Sequence, residues 1–372
     1  MTSALDALLS LIEPVVSALL NPSTFLYDPS KRVFWPYLLA SVVIAGVALA
    51  THDRKHWWRG LYEKLLSPKL WLHPSSLLDM KLMASKSVIR ALLFAPWIAS
   101  AYGIALGVVR LSTTQFGPAH ETELGATEIT LIYTVVLFVC SDFSRYALHR
   151  LCHEVPFLWQ FHQVHHSAEV MTPLTLYRSH PVENLLFVLR GVVVTGLVTG
   201  VFFYHFGTQA VQYQLLGVNV FGLLFNIFGA NLRHSQVWLS FGATVERVIL
   251  SPAQHQIHHS DDPKHFGSNY GSCLALWDRM GGSFHAAQGQ EGVRFGLSQD
   301  ESNHDPHRLG SALVGPFKAC WELASTRLRL KKPVESQPTS KHAEVVYLET
   351  LTGVQASQTM IEREPSEEQH AS

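Results

Sequence analysis

Long apolar stretches, with charge kept to the segments between them, constrain this chain more than any other feature. They run near residues 34–50, 87–109, 126–147, 184–206 and 209–230. About 20 residues of helix cross a bilayer, and inside hydrocarbon a backbone must satisfy its own polar groups, which a helix does. Only 15% of residues are charged and the mean hydropathy is +0.13, unusually apolar for a soluble chain of 372 residues. The first stretch is marginal in length. Residues 8–20 are too short and are interrupted by Glu13 and Pro14, so they read as an interfacial or packed segment. The expectation is an all-α integral membrane protein with four to five transmembrane helices.

Loop charge orients these spans. Arg54, Lys55, Arg59, Lys64, Lys69, Lys81 and Lys86 place 51–86 in the cytoplasm, whereas 110–125 carries Glu121 and Glu123 with Arg110 at its edge and belongs on the opposite side. The third span then exits to the cytoplasm before His149, the fourth leaves it after His180, and the fifth returns before His234. The net charge of −1 gives no bulk attraction for nucleic acid. Cys140, Cys152, Cys273 and Cys320 form no CxxC pair and no disulfide framework, as expected in a reducing compartment. The N-terminus lacks the basic region and cleavage site of a secretory signal. The C-terminal EEQHAS carries no retrieval signal, which favours a bacterial inner membrane over the endoplasmic reticulum.

Histidine supplies the chemistry. Among 21 histidines, residues 149–166 (HRLCHEVPFLWQFHQVHH) hold His149, His153, His162, His165 and His166, and residues 255–259 (HQIHH) hold His255, His258 and His259. His180 and His234 lie between. Spacings of three and four share one helix face, so each cluster's imidazoles can converge. A lone HxxxH pair is a common surface accident, and His180 or His234 alone would read as a packed or capping residue. Two HxxHH boxes are different, because neighbouring buried imidazoles without a metal would leave polar nitrogens needing partners. Nitrogen ligation without cysteine or carboxylate boxes suits borderline transition metals, most plausibly two.

The order HxxxH, HxxHH and a second HxxHH about 90 residues later resembles the fatty acid hydroxylase/sterol desaturase superfamily. SDFSRYALHRLCH (141–153), YRSHPVE (177–183) and HQIHHSDDPKHFGSNYGSCLALWDRMGGSFH (255–285), with its NYG and WDR elements, are similar to the family's motifs over about residues 85–290. The resemblance implies a non-haem dimetal oxygenase that hydroxylates or desaturates a lipid with O₂ and supplied electrons. The implied ligands are His149, His153, His162, His165, His166, His255, His258 and His259, with His234 matching an additional box. Some members have a further histidine where this chain has Ala230, so Asn231 or a water is expected to fill that place. His180 is expected to support the ligands rather than join them.

The chemistry argues for iron, with zinc a possible substitute. No side-chain acid, base or nucleophile attacks an unactivated C–H bond, whereas two redox-active irons with O₂ and two electrons can. Each ligand ring needs an acceptor on its other nitrogen. Asp142, two turns before His149, is the first candidate, with Asp261, Asp262 and Asp278 as others, although each alone could be a helix cap. The electron donor would be a cytochrome b5- or ferredoxin-type protein with its reductase. An apolar lipid passage is expected near Phe187, Phe202, Phe221 and Phe225. The domains read as 1–86 (first span and basic loop), 87–290 (catalytic, with a cytoplasmic helical cap holding the dimetal site), 291–332 (amphipathic, on the leaflet or packed on the protein) and 333–372 (a disordered tail). A histidine-rich metal transporter and a non-catalytic zinc-holding scaffold are the competing readings. A transporter would want carboxylates at mid-span, which these spans lack, and a structural zinc needs only four ligands.

Overall fold

The computed structural model describes residues 24–330 apart from 94, 120–121, 208–213, 216–217, 288, 290–291 and 298–305, with backbone alone at 24, 87–93, 95–99, 214–215, 218 and 327–330. The readings of 8–20 and 333–372 lie outside the described residues. Residues up to Glu322 form one compact unit, and 323–372 are a second.

Helices dominate. In chain order the principal ones are α1 (Trp35–His52), α2 (Pro74–Leu93), α3 (Ala95–Phe116), α4 (Ala126–Glu154), α5 (Pro156–His166), α6 (Pro181–Phe206), α7 (Val220–Ile227), α8 (Pro252–His258), α9 (Leu276–Gly281) and α10 (Leu309–Leu330). Among the described residues the only strand ladder pairs Gln214–Leu215 with Val218–Asn219. Three described helices, α1, α4 and α6, are long and apolar enough to cross a membrane.

One expected span is redrawn and another is corrected. The stretch 87–109 is divided between α2 and α3, with Pro96 opening the second helix, where a ring that fixes φ is tolerated. The stretch 209–230 is not one helix. Its α7 has eight residues, about 12 Å of rise and too short to span. Asn219 starts α7 by accepting from Phe221 N, and Gly229, at φ +92°, breaks the chain into the 3₁₀ turn Ala230–His234.

The long helices pack closely where small residues allow it. A Cβ at Gly196 would lie 2.7 Å from Ile104 and 2.8 Å from Ala101 O. One at Gly200 would lie 2.6 Å from Val108 and 2.8 Å from Ala105 O. This four-residue glycine spacing brings α6 onto α3, the arrangement that serves helix pairs in lipid. On its other side Phe202 joins Ile129, Tyr133 and Leu137 of α4 in a buried cluster.

Local signals shape the site end. At 29 residues, about 43 Å, α4 is longer than the roughly 30 Å hydrocarbon layer of a bilayer. Pro156 forces Val155 into extended backbone and starts α5 in a new direction. His180 caps α6 by accepting from Val182 N while its Nε2 donates to Leu313 O, so it braces α10 against α6 and, among the described residues, makes no hydrogen bond to a boxed histidine. Ala312 packs with Leu78, Leu82 and Val164, and Phe317 meets Phe161 edge-on, so one face of α10 contacts the helices beside the site. Beneath it Arg178 and Asp79 form a fully buried ion pair at 3.0 Å, and Thr175 Oγ1 donates to the second Asp79 oxygen at 2.6 Å.

Candidate metal centre

Nine histidines converge in two groups. His149, His153, His162, His166 and His258 form one, His165, His234, His255 and His259 the other, and within each the nearest ligand atoms lie within 4.8 Å of one another. All nine proposed ligands are therefore brought together, shared unevenly. The turn of α5 sends His162 and His166 to the five-imidazole group and His165 to the other, while α8 gives His258 to the first and His255 and His259 to the second.

Hydrogen bonds fix the tautomers of three rings. His149 Nδ1 donates to Tyr270 O at 2.7 Å, His258 Nδ1 to Ser268 O at 2.8 Å, and His162 Nδ1 to Glu183 Oε1 at 3.0 Å. Each Nε2 is therefore a bare lone pair. Yet His149 Nε2 lies 3.0 Å from His162 Nε2 and 3.2 Å from His258 Nε2. Lone pairs so close repel unless a cation sits between them. About 3.0 Å is also the separation of adjacent nitrogens on an ion with 2.1 Å metal–nitrogen bonds. The buried nitrogens His153 Nε2 and His259 Nε2 have no hydrogen-bond partner among the described residues. The donor set fits a pair of nitrogen-loving metals.

Burial keeps these rings neutral. It pushes His162 and His165 down to about 3. Burial, then neighbouring imidazoles, hold His166, His258 and His259 well below the usual range, and at His234 and His255 the Arg233 guanidinium adds to both.

The supporting residues differ from expectation. Asp142 does not hold an imidazole: its oxygens accept from Cys273 N, Leu274 N and Trp277 Nε1, all at 2.9 Å, and tie α4 to the segment leading into α9. Asp278 acts one step further back. It accepts from Tyr270 N, Gly271 N and Ser283 Oγ, and so sets the carbonyl that receives His149. The NYG triplet has a physical reason at each position. Asn269 takes φ +56°, Tyr270 offers its carbonyl, and a Cβ at Gly271 would lie 2.6 Å from Asp278 Oδ2. Asp261 pairs with Arg294, and Asp262 caps the turn at Lys264. Asn231 donates to Arg32 O and makes no hydrogen bond to an imidazole among the described residues. Glu183, the last residue of YRSHPVE, is the ring-holding carboxylate. The signal that could have found it is an acid in the first turn of an otherwise apolar span.

A cavity of about 400 Å³ reaches both groups, touching His149 and His162 of one and His165, His234 and His255 of the other. Phe187 and Val188 line it with Leu176 and Met83. Of the other expected passage residues, Phe202 is in the α4–α6 core, Phe221 packs on Phe138, and the Phe225 ring lies under the guanidinium groups of Arg32 and Arg233. Burial, with mutual repulsion of the arginines, lowers Arg233 to about 9 and Arg32 to about 10. A smaller cavity of about 260 Å³ touches His153, His166 and His258 with Trp159 and Tyr270.

Residues 134–283, which contain every one of these histidines, match the fatty acid hydroxylase family. They belong to the fatty acid hydroxylase/sterol desaturase superfamily. Similar proteins include alkylglycerol monooxygenase of Xenopus tropicalis, 28% identical over 173 residues, 46% of this chain and 34% of that one. Ornithine lipid hydroxylase of Rhizobium tropici is 26% identical over 189 residues, 50% of this chain and 53% of its own. Lathosterol oxidase of Homo sapiens is 25% identical over 227 residues, 60% of this chain and 67% of its own. The chain thus spans between a third and about half the length of the first two relatives. No solved structure matches it. The hydroxylase-family segment contains most of α4 and all of α5 to α9, and Asp142, Glu183 and Asp278 with them.

Proposed function

We propose that this chain is a membrane-bound lipid oxygenase with a di-iron centre, taking O₂ and electrons from a redox partner to hydroxylate or desaturate a lipid C–H position. The observation that carries this reading is the convergence of bare imidazole lone pairs in two buried groups beside one cavity. His149, His153, His162, His166 and His258 would hold one iron, and His165, His234, His255 and His259 the other. When bound, the irons supply the oxidising power that no side chain has. The protein does the rest. Tyr270 O, Ser268 O and Glu183 aim three rings, burial keeps the imidazoles unprotonated, and the apolar cavity wall excludes water and orients an acyl or sterol tail. The site end of α4 and α6 would face the cytoplasm, where a cytochrome b5- or ferredoxin-type donor can reach it. A scaffold retaining one zinc has no use for nine converging imidazoles.

The test is metal content by mass spectrometry on detergent-purified protein, with O₂ consumption on lipid and reductant. About two irons per chain are expected, one for each imidazole group. His258→Ala should empty the five-imidazole site and His259→Ala the four-imidazole site. A single zinc, or metal unchanged in both variants, overturns the assignment.

A further inference from the structure

The cavity beside the imidazoles is apolar on one wall and cationic on another. Arg32, Lys86, Arg145 and Arg233 all line it, and Glu183 is the only described carboxylate among its lining residues. Glu183 is engaged with His162, and Lys86 lies in its field while donating to Ser179. The three arginines have no such relief. None has a carboxylate within ion-pair distance among the described residues. Asp142 is within electrostatic reach of Arg145 and Arg233, but its oxygens are taken by two backbone amides and the Trp277 indole.

Their hydrogen bonding is equally sparse. Arg233 is 3% exposed, places Nη2 on Gly271 O at 3.2 Å, and has a buried Nε with no partner. Arg32 has a long contact to Ala230 O at 3.4 Å, and Arg145 has no hydrogen bond among the described residues. Arg32 and Arg233 instead flank the Phe225 ring at 5.2 Å each, and Arg145 lies 5.7 Å over Phe187. Aromatic faces hold a guanidinium in place without using up its donors. Arg233 is buried, Arg32 half-buried and Arg145 exposed at the cavity; a buried cation is ordinarily paired, and fixed guanidinium forks match the oxygens of a phosphate or carboxylate.

We infer that Arg32, Arg145 and Arg233 form a subsite for the anionic headgroup of a lipid, a phosphate or carboxylate carried at the polar end of the molecule that the oxygenase oxidises. This rests on the oxygenase reading for the fate of the lipid but not for its binding. The arginines and the imidazoles share a cavity of about 400 Å³, the size of one small ligand. A headgroup held there leaves room for only the first few carbons beside the imidazoles, so oxidation falls close to the polar end and the remaining tail extends out of the cavity.

The test uses the full chain in uncharged detergent and tritiated lysophosphatidic acid, competed by its unlabelled form, by monoacylglycerol of the same chain length, or by inorganic phosphate. Unlabelled lysophosphatidic acid should compete at least about tenfold better than monoacylglycerol, the scale of one charge-assisted contact. Arg145→Gln and Arg32→Gln should each cut that preference by about tenfold, and Arg145→Lys should keep most of it. Iron content and thermal unfolding of the same samples show that each variant is folded. Equal competition by the two lipids, or a preference unchanged in both glutamine variants, overturns the subsite. Phosphate that displaces the label as well as the lipid does overturns the lipid assignment. Headgroup preference in protein that takes up no iron supports the subsite and fails the oxygenase reading alone, and two irons with no preference fails the subsite alone.

Discussion

Replacing Glu183 by glutamine isolates one link between fold and metal. The carboxylate accepts from His162 Nδ1 at 3.0 Å, with side chains 7% and 2% exposed, so water screens the bond little. A hydrogen bond to a charged acceptor contributes about 1.5–3 kcal/mol and a neutral one about 1, so glutamine, which keeps the shape and one acceptor, should lose about 1–2 kcal/mol of support for the ring. Carried to the metal, that is a roughly tenfold weaker hold on iron, the low end of what loss of such a supporting residue costs. Glu183→Ala should be worse, because it also leaves a buried N–H without an acceptor, about 1–3 kcal/mol more. The assay is iron retention against graded chelator, with thermal unfolding in parallel. Retention equal to wild type in the glutamine variant, or an alanine variant no weaker than the glutamine one, would refute the claim that this carboxylate orients His162.

Asp79→Asn leaves Arg178 charged in a site with no exposure; it should cost about 3–5 kcal/mol, read as a lower unfolding midpoint that the apolar double variant Asp79→Leu/Arg178→Met largely restores. Gly271→Ala puts a Cβ 2.6 Å from Asp278 Oδ2 and 2.9 Å from Leu274 O, so it should displace the Tyr270 carbonyl and release iron at lower chelator concentration, at a cost of about 1–3 kcal/mol; unchanged retention would count against the NYG account. Acid should destabilise the metal-free protein. His162 and His165 titrate at about 3 when folded against about 6.5 unfolded, so the unfolded chain binds protons that the folded one refuses. Their contribution is complete above about pH 6.5 and is lost as pH falls towards 3, about 1.4 kcal/mol per pH unit for each ring. An unfolding midpoint that does not fall between pH 7 and 5 would contradict it.

The clustering of the proposed ligands was legible because helical spacing alone puts His149 beside His153 and His162 beside His165 and His166. The supports were not. Asp142 sits at a plausible helical distance from His149, but its partners lie 131 to 135 residues away in the segment leading to Trp277, a pairing no local pattern encodes. Glu183 lies 21 residues from the ring it holds. Two of the three ring acceptors are backbone carbonyls, which any residue type supplies. The span expected over 209–230 failed because hydropathy averaged over Asn219 and Gly229, where the chain stops being helical.

The division of both HxxHH boxes between the two groups governs the order in which the site can be made. His149 meets His258 across 109 residues, and α5 and α8 each serve both groups. During synthesis the earliest histidines wait for the last box, and for the carbonyls of Ser268 and Tyr270 after it, before either pocket of lone pairs closes. On the proposed reading metallation would be a late event, following insertion of α4 and α6, and a chain truncated before residue 270 would lack the carbonyl that aims His149.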